Sequence, residues 1–181
     1  MPDDLPQSTP RTIRIANAGL VLTSAYLPHL FGRLDFVGPD ADGHDAWRDS
    51  ASRDRAVRLL QWLVDERWDV PDREFPLNKL LCGIDPSGPI SSSTGPTEAE
   101  IALGLSLLRA MLAATPALAS SSPPALRETF LQRDGTLTYG DTGWQLDVER
   151  KTVDVILAQV PWQFSRIRHP WMPDLLAVDW C

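Results

Sequence analysis

Proline is the feature that most limits what this chain can build. Sixteen prolines and eleven glycines are spread through 181 residues. Each proline fixes φ and removes a backbone donor, so the chain is cut into short elements and cannot form one long helix or a coiled coil. The expected architecture is therefore α+β, with about four to five helices and a small, mostly antiparallel sheet near the C-terminus. Hydrophobic residues make up 43% of the chain, enough for a packed core at this length.

Periodicity places the elements. Residues 1–11 read as a mobile tail, and 12–181 read as a single globular domain with a Ser/Pro/Gly loop near 85–96, where a hinge would sit. Thr12–Ile15 alternates like a short strand. A helix is expected from about Ala25 to Leu34 with Pro28 in its first turn. Gly38–Asp45 reads as a loop. Ser50 is the expected cap of a helix to about Arg67, with Ala56, Leu59, Leu60, Leu63 and Val64 on its apolar face and Asp54 and Arg58 elsewhere. Phe75–Cys82 reads as a short helix stopped by Gly83. Thr97 and Glu100 form a capping box ahead of a helix whose stripe is Ile101, Leu105, Leu108 and Leu112. Ser122 and Pro123 begin another, which Gly135 is expected to end. Leu137–Tyr139 and Trp144–Val148 flank Gly140–Gly143 as a β-hairpin. Val153–Val160 reads as a short helix stopped by Pro161, and two more strands are expected within Trp162–His169 and Leu175–Trp180.

Charge excludes several classes of function. Asp plus Glu outnumber Lys plus Arg by 24 to 17, a net charge of -7, and no basic run is present. Binding nucleic acid by phosphate neutralisation is therefore not expected. No stretch reaches the roughly 20 apolar residues of a membrane span, and the first ten residues lack the pattern of a secretory signal. The expected location is cytoplasmic, with possible incorporation into a larger assembly.

Reactive chemistry finds few handles. Asp141-Thr142-Gly143 matches the aspartic-protease triplet, but one copy would need a symmetric dimer, and the triplet occupies a hairpin tip where these residues are favoured turn formers. His29, His44 and His169 are too scattered for a metal motif. His44 reads as a solvated group, and His169 as a packed one. Cys82 lies in an apolar helix and reads as a small hydrophobe, while Cys181 ends the sequence. No phosphate-binding glycine loop and no nucleophile elbow is present. No cofactor is expected. The seven tryptophans are read two ways, as rings covering the sheet or as a docking face. The candidate protein-interaction set is Trp162, Trp171, Met172, Trp180, Arg166 and Arg168. Asn17, Lys79, Arg127, Glu128 and Glu149 sit inside the most apolar motifs, so any that are buried must be hydrogen-bonded or paired.

Taken in order, the motifs Asn17-Ala18-Gly19-Leu20-Val21-Leu22, Leu77-Asn78-Lys79-Leu80-Leu81-Cys82-Gly83, Leu126-Arg127-Glu128 with Phe130-Leu131-Gln132-Arg133, Gly143-Trp144, Pro161-Trp162, Pro170-Trp171-Met172-Pro173 and Val178-Asp179-Trp180 resemble the contractile injection system tape measure protein family, over nearly the whole chain from about residue 12. Shorter pieces at Leu27-Pro28 and Arg55-Ala56-Val57 with Leu59-Leu60-Gln61 fit the same order. The resemblance implies a non-enzymatic structural or assembly component of a phage-tail-like particle, involved in tail length or completion, with tube, baseplate or cap proteins as partners. A releasable assembly chaperone is the alternative, and a hydrolase using Asp141 the remote one. As one continuous helix, 181 residues would reach only about 270 Å at 1.5 Å each, and the prolines forbid even that. The expectation is a compact block.

Overall fold

The computed structural model describes residues 11–181. The tail expected at 1–10 lies outside the described residues; Arg11, assigned to it, begins the first strand. Seven strands are present among the described residues: β1 (Arg11–Ile15), β2 (Val37–Pro39), β3 (Asp45–Trp47), β4 (Gly135–Gly140), β5 (Gly143–Val148), β6 (Arg166–Ile167) and β7 (Leu176–Asp179). Five α-helices accompany them: α1 (Leu27–Arg33), α2 (Ser50–Asp65), α3 (Pro76–Leu81), α4 (Glu98–Ala114) and α5 (Pro123–Leu126).

The main sheet runs β1-β4-β5-β7-β6. All its pairings are antiparallel except β5 with β7, which is parallel. Register follows the alternation in sequence. Ile13, Leu137 and Leu146 stand opposite one another across three strands. Leu137, Leu146, Ile167 and Leu176 are all buried, so this face covers the core and Thr12, Thr138 and Gln145 line the other. The hairpin turns at Asp141–Thr142, as the sequence predicts.

The helices follow the proline and glycine punctuation. α1 and α3 each carry proline in the first turn, where the missing N–H costs nothing. α4 has the full capping box: Thr97 Oγ1 accepts from the Glu100 N–H at 3.2 Å, and the Glu100 carboxylate accepts from the Thr97 N–H at 2.6 Å. Val153–Val160 is realised as a 3-10 segment over Thr152–Gln159.

Several local expectations shift. The cap of α2 is Asp49, one residue earlier, whose side chain accepts from the Ser52 N–H at 2.7 Å. The loop predicted over Gly38–Asp45 is the tip of a small β2–β3 ribbon. Ala18–Tyr26 forms a 3-10 segment with no polar side, and Ala18–Ser24 is buried throughout; this is why its sequence lacks amphipathic periodicity. The buried stripe of α4 is Gly104, Leu107, Leu108, Met111 and Leu112, rotated from the predicted one. At Gly104 an added Cβ would lie 2.9 Å from the Trp62 ring, so α2 sets that rotation. α5 continues into a π-helical turn, Arg127–Leu131, and Gly135 starts β4 instead of ending the helix. Asp54 and Arg58 are buried because they hold the irregular segment after α3. Asp54 accepts from the Ser91 N–H at 2.8 Å and Arg58 donates to the Ser91 carbonyl at 3.1 Å. Arg55 adds a bond to Ser93 Oγ at 2.7 Å.

Gly83 combines a left-handed backbone with a close approach of another segment. Its φ is +75°, and a Cβ there would sit 2.2 Å from the Trp171 carbonyl oxygen. Gly43, at φ +82°, has nothing within 4 Å. Gly83→Ala is therefore expected to cost about 3 kcal/mol, combining left-handed strain with a backbone clash, against about 1 kcal/mol for Gly43→Ala. Urea unfolding of the two variants measures the difference; equal losses would disprove this account of Gly83.

Candidate functional site

Short helices end in carbonyls with no intrahelical partner, and in this fold side chains distant in sequence take them up. At the end of α2, Arg127 Nε donates to the Leu63 carbonyl at 2.9 Å and Gln132 Nε2 donates to the Val64 carbonyl at 3.1 Å. The Arg127 guanidinium also lies 5.0 Å from the Trp62 ring centroid and pairs with Glu66. At the end of α3, Trp171 Nε1 donates to the Leu81 carbonyl at 2.9 Å and Trp47 Nε1 to the Cys82 carbonyl at 3.0 Å. Trp162 Nε1 donates to the Leu22 carbonyl inside the Ala18–Tyr26 3-10 segment, at 2.9 Å.

Two buried polar centres accompany these caps. In the first, Arg133 is fully buried. Its Nη1 donates to Asp154 Oδ1 at 2.9 Å and to the Glu149 carbonyl at 2.9 Å, and its Nη2 donates to the Thr129 carbonyl at 2.8 Å. Asp154 also accepts from Trp180 Nε1 at 2.9 Å and from the Lys151 N–H at 2.8 Å. Burial alone would raise the Asp154 pKa, but these donors and the Arg133 charge hold it below the usual carboxylate value. In the second, Asn17 Nδ2 donates to Asn78 Oδ1 at 2.7 Å and to Gln61 Oε1 at 3.2 Å, and Asn78 Nδ2 reaches the Val57 carbonyl at 3.1 Å. Lys79, also fully buried, pairs with Asp72. Of the polar motif residues, Asn17, Lys79 and Arg127 are thus buried and bonded, while Glu128 and Glu149 are exposed. The sequence does not mark Asp154 or Asp72, and it places Asp54 only off the apolar face of its helix. Nothing in the local pattern of an acidic residue marks it as the partner of a distant cation.

The candidate interaction set divides by depth. Met172 and Trp180 are inside the fold at 4% exposure each, so their side chains serve this chain's own core. Trp162 and Trp171 are half-buried, with their indole N–H groups turned inward as described. Trp162 packs edge-on against Tyr26, and Trp171 packs on Phe31, Trp47 and His169. Arg166 and Arg168 are exposed. Four of the six thus present surface: two guanidiniums and the outer edges of two indoles.

The remaining candidates are dispersed. Asp141 is exposed on the hairpin turn. His44 is exposed on the β2–β3 ribbon, where its N–H donates to Asp40 at 2.9 Å. Cys82 is buried, and that burial pushes its thiol well above its ordinary pKa. Among the described residues no three His, Cys, Asp or Glu side chains are grouped to hold a metal ion, and no helix is long and apolar enough to cross a membrane.

The sequence matches the family described as contractile injection system tape measure protein over residues 2–180. No curated protein and no solved structure matches.

His169 generates a pH dependence. It stacks on Trp171 at a centroid distance of 4.9 Å, and burial lowers its pKa to about 4. The unfolded ring takes its proton near pH 6.5, so the unfolded chain binds more protons between the two values. The stability contributed by the neutral ring is complete above about pH 6.5 and is lost as pH falls toward 4. The loss amounts to about 3 kcal/mol. Chemical denaturation between pH 7 and 4.5 should show this slope, and His169→Phe should flatten it; an unchanged slope in the variant would exclude His169 as the cause.

Proposed function

The chain belongs to the contractile injection system tape measure protein family, and we propose that it works as a compact assembly block of such a particle, acting in tail length or tail completion without catalysing a reaction. The observation carrying this reading is the use made of the matched motifs. Their Trp, Arg, Asn and Lys side chains are spent on helix-end carbonyls and buried pairs inside the chain, which is what shape-holding requires. The longest helix, α4, has 17 residues and spans about 25 Å, so residues 11–181 suit a plug, cap or adaptor better than a span along a tube.

Tube, baseplate or cap proteins are the partners this reading calls for. The surface around the C-terminal turn is the proposed contact, drawing on exposed Arg166 and Arg168 and the outer edges of Trp162 and Trp171. Exposed Arg and half-buried Trp in one stretch of chain supply the chemistry of an interface anchor. A cytoplasmic location before incorporation follows from a particle assembled inside the cell.

Deleting the gene and imaging particles by electron microscopy should show missing, unfinished or length-variable tails; normal particles would refute the proposal. Presence of the chain in purified particles separates an incorporated block from an assembly chaperone that leaves. Arg166→Glu with Arg168→Glu should change thermal stability little, within about 0.5 kcal/mol for exposed positions, while reproducing the deletion phenotype. Normal assembly with the double variant would move the contact face elsewhere.

A further inference from the structure

The irregular segment 89–96 lies between the turn at Asp85–Gly88 and the Thr97 cap of α4. None of its residues makes a backbone–backbone hydrogen bond among the described residues. Ile90 is half-buried against the core, while Ser91, Ser92, Thr94 and Gly95 are exposed. Neither a backbone ladder nor broad apolar packing keeps this segment in place.

Three charged side chains of α2 hold it instead. Asp54 Oδ2 accepts from the Ser91 N–H at 2.8 Å, and Arg58 Nη2 donates to the Ser91 carbonyl at 3.1 Å. Arg55 Nη1 donates to Ser93 Oγ at 2.7 Å and, more weakly, to the Thr94 carbonyl at 3.4 Å, and its Nη2 reaches the Gly95 carbonyl at 3.3 Å. Arg55 is itself fixed from behind. Its Nε donates to Glu100 Oε1 at 2.7 Å, and its guanidinium lies 5.0 Å from the Trp68 ring centroid. Glu100 is anchored in the α4 capping box, so Arg55 keeps its position without help from the segment it grips.

The closed arrangement leaves buried polar atoms unanswered. Asp54 and Arg58 are 6% and 7% exposed, yet Asp54 Oδ1 and Arg58 Nε have no partner among the described residues. A buried polar atom without a partner is costly, and water admitted by lifting the segment would meet both. Sparse apolar contact, side-chain tethers in place of backbone bonds, and unanswered polar atoms are the properties of a unit that opens locally, below the cost of global unfolding.

We infer that residues 89–96 form a strap that lifts from α2 as one unit while the helices and the sheet stay folded, with Arg55 as its latch. This device is independent of the assembly reading above, and either can fail without the other.

The Ser91 amide, bonded to Asp54, is the probe. In ¹⁵N-labelled full chain its hydrogen exchange, followed by NMR, should be roughly a hundredfold faster than that of Leu60 in α2 or Leu108 in α4. Ser93→Ala removes one latch bond and should speed Ser91 exchange about threefold, and Arg55→Gln roughly tenfold. Subtilisin cleavage within 89–96 should rise by the same factor as Ser91 exchange, with Leu60 and Leu108 unchanged in Ser93→Ala. That variant keeps the Arg55–Glu100 pair, so it decides the matter even where Arg55→Gln weakens α4. Ser91 exchanging as slowly as Leu60, or Ser93→Ala moving exchange and cleavage by different factors, would overturn the inference.

Discussion

A carbonyl oxygen at the end of a short helix must find a donor, and here most of the long-range order follows from that need. Prolines punctuate the chain between helices, so there are many helix ends to satisfy. The donors come from far along the chain: Arg127 and Gln132 close α2, Trp171 and Trp47 close α3, and Trp162 bonds the Leu22 carbonyl inside the 3-10 segment. Each bond satisfies a polar group and also fixes the position of one element against another, in contrast to local caps such as Thr97 on α4. Two of the chain's most recognisable stretches, residues 77–83 and 170–173, meet at such a junction, where Gly83 admits the Trp171 backbone.

The buried charges have a different role. Isolated ion pairs in a core add little net stability, because desolvation offsets their attraction. Their value is in what they exclude. Arg133 can be buried only where Asp154 and two carbonyls await it, and Asp154 in turn needs Trp180 and the Lys151 N–H. A shifted packing of the C-terminal segment would strand a charge in apolar surroundings. This cluster therefore ties the residues after β5 and Trp180 to one arrangement.

Local chemistry was legible in the sequence. The α4 capping box, the Ser122–Pro123 start, the β4–β5 hairpin and the Gly83 stop depend on residues within a few positions of one another. The α+β class and the predominance of antiparallel pairing followed from alternation. The parallel β5–β7 pairing did not, because it depends on how the 149–175 connection packs. The buried face of α4 was misplaced because Trp62, a ring on another helix, decides it. Among the interaction candidates, Met172 and Trp180 were chosen by residue type. Their burial depends on Asp154 and on β7, neither of which the neighbouring sequence announces.

The order of strands in the main sheet bears on how the molecule is made. β1 is complete within the first fifteen residues, yet its neighbour in the sheet is β4, beginning at Gly135; β5 in turn pairs with β7, which starts at Leu176. During synthesis the opening strand must wait, unsatisfied along its hydrogen-bonding edge, until some 120 more residues have emerged, and the sheet closes only once Leu176–Asp179 have followed. The turn between β6 and β7 takes its shape in that step, so a chain lacking β7 has no finished surface there to offer a neighbour.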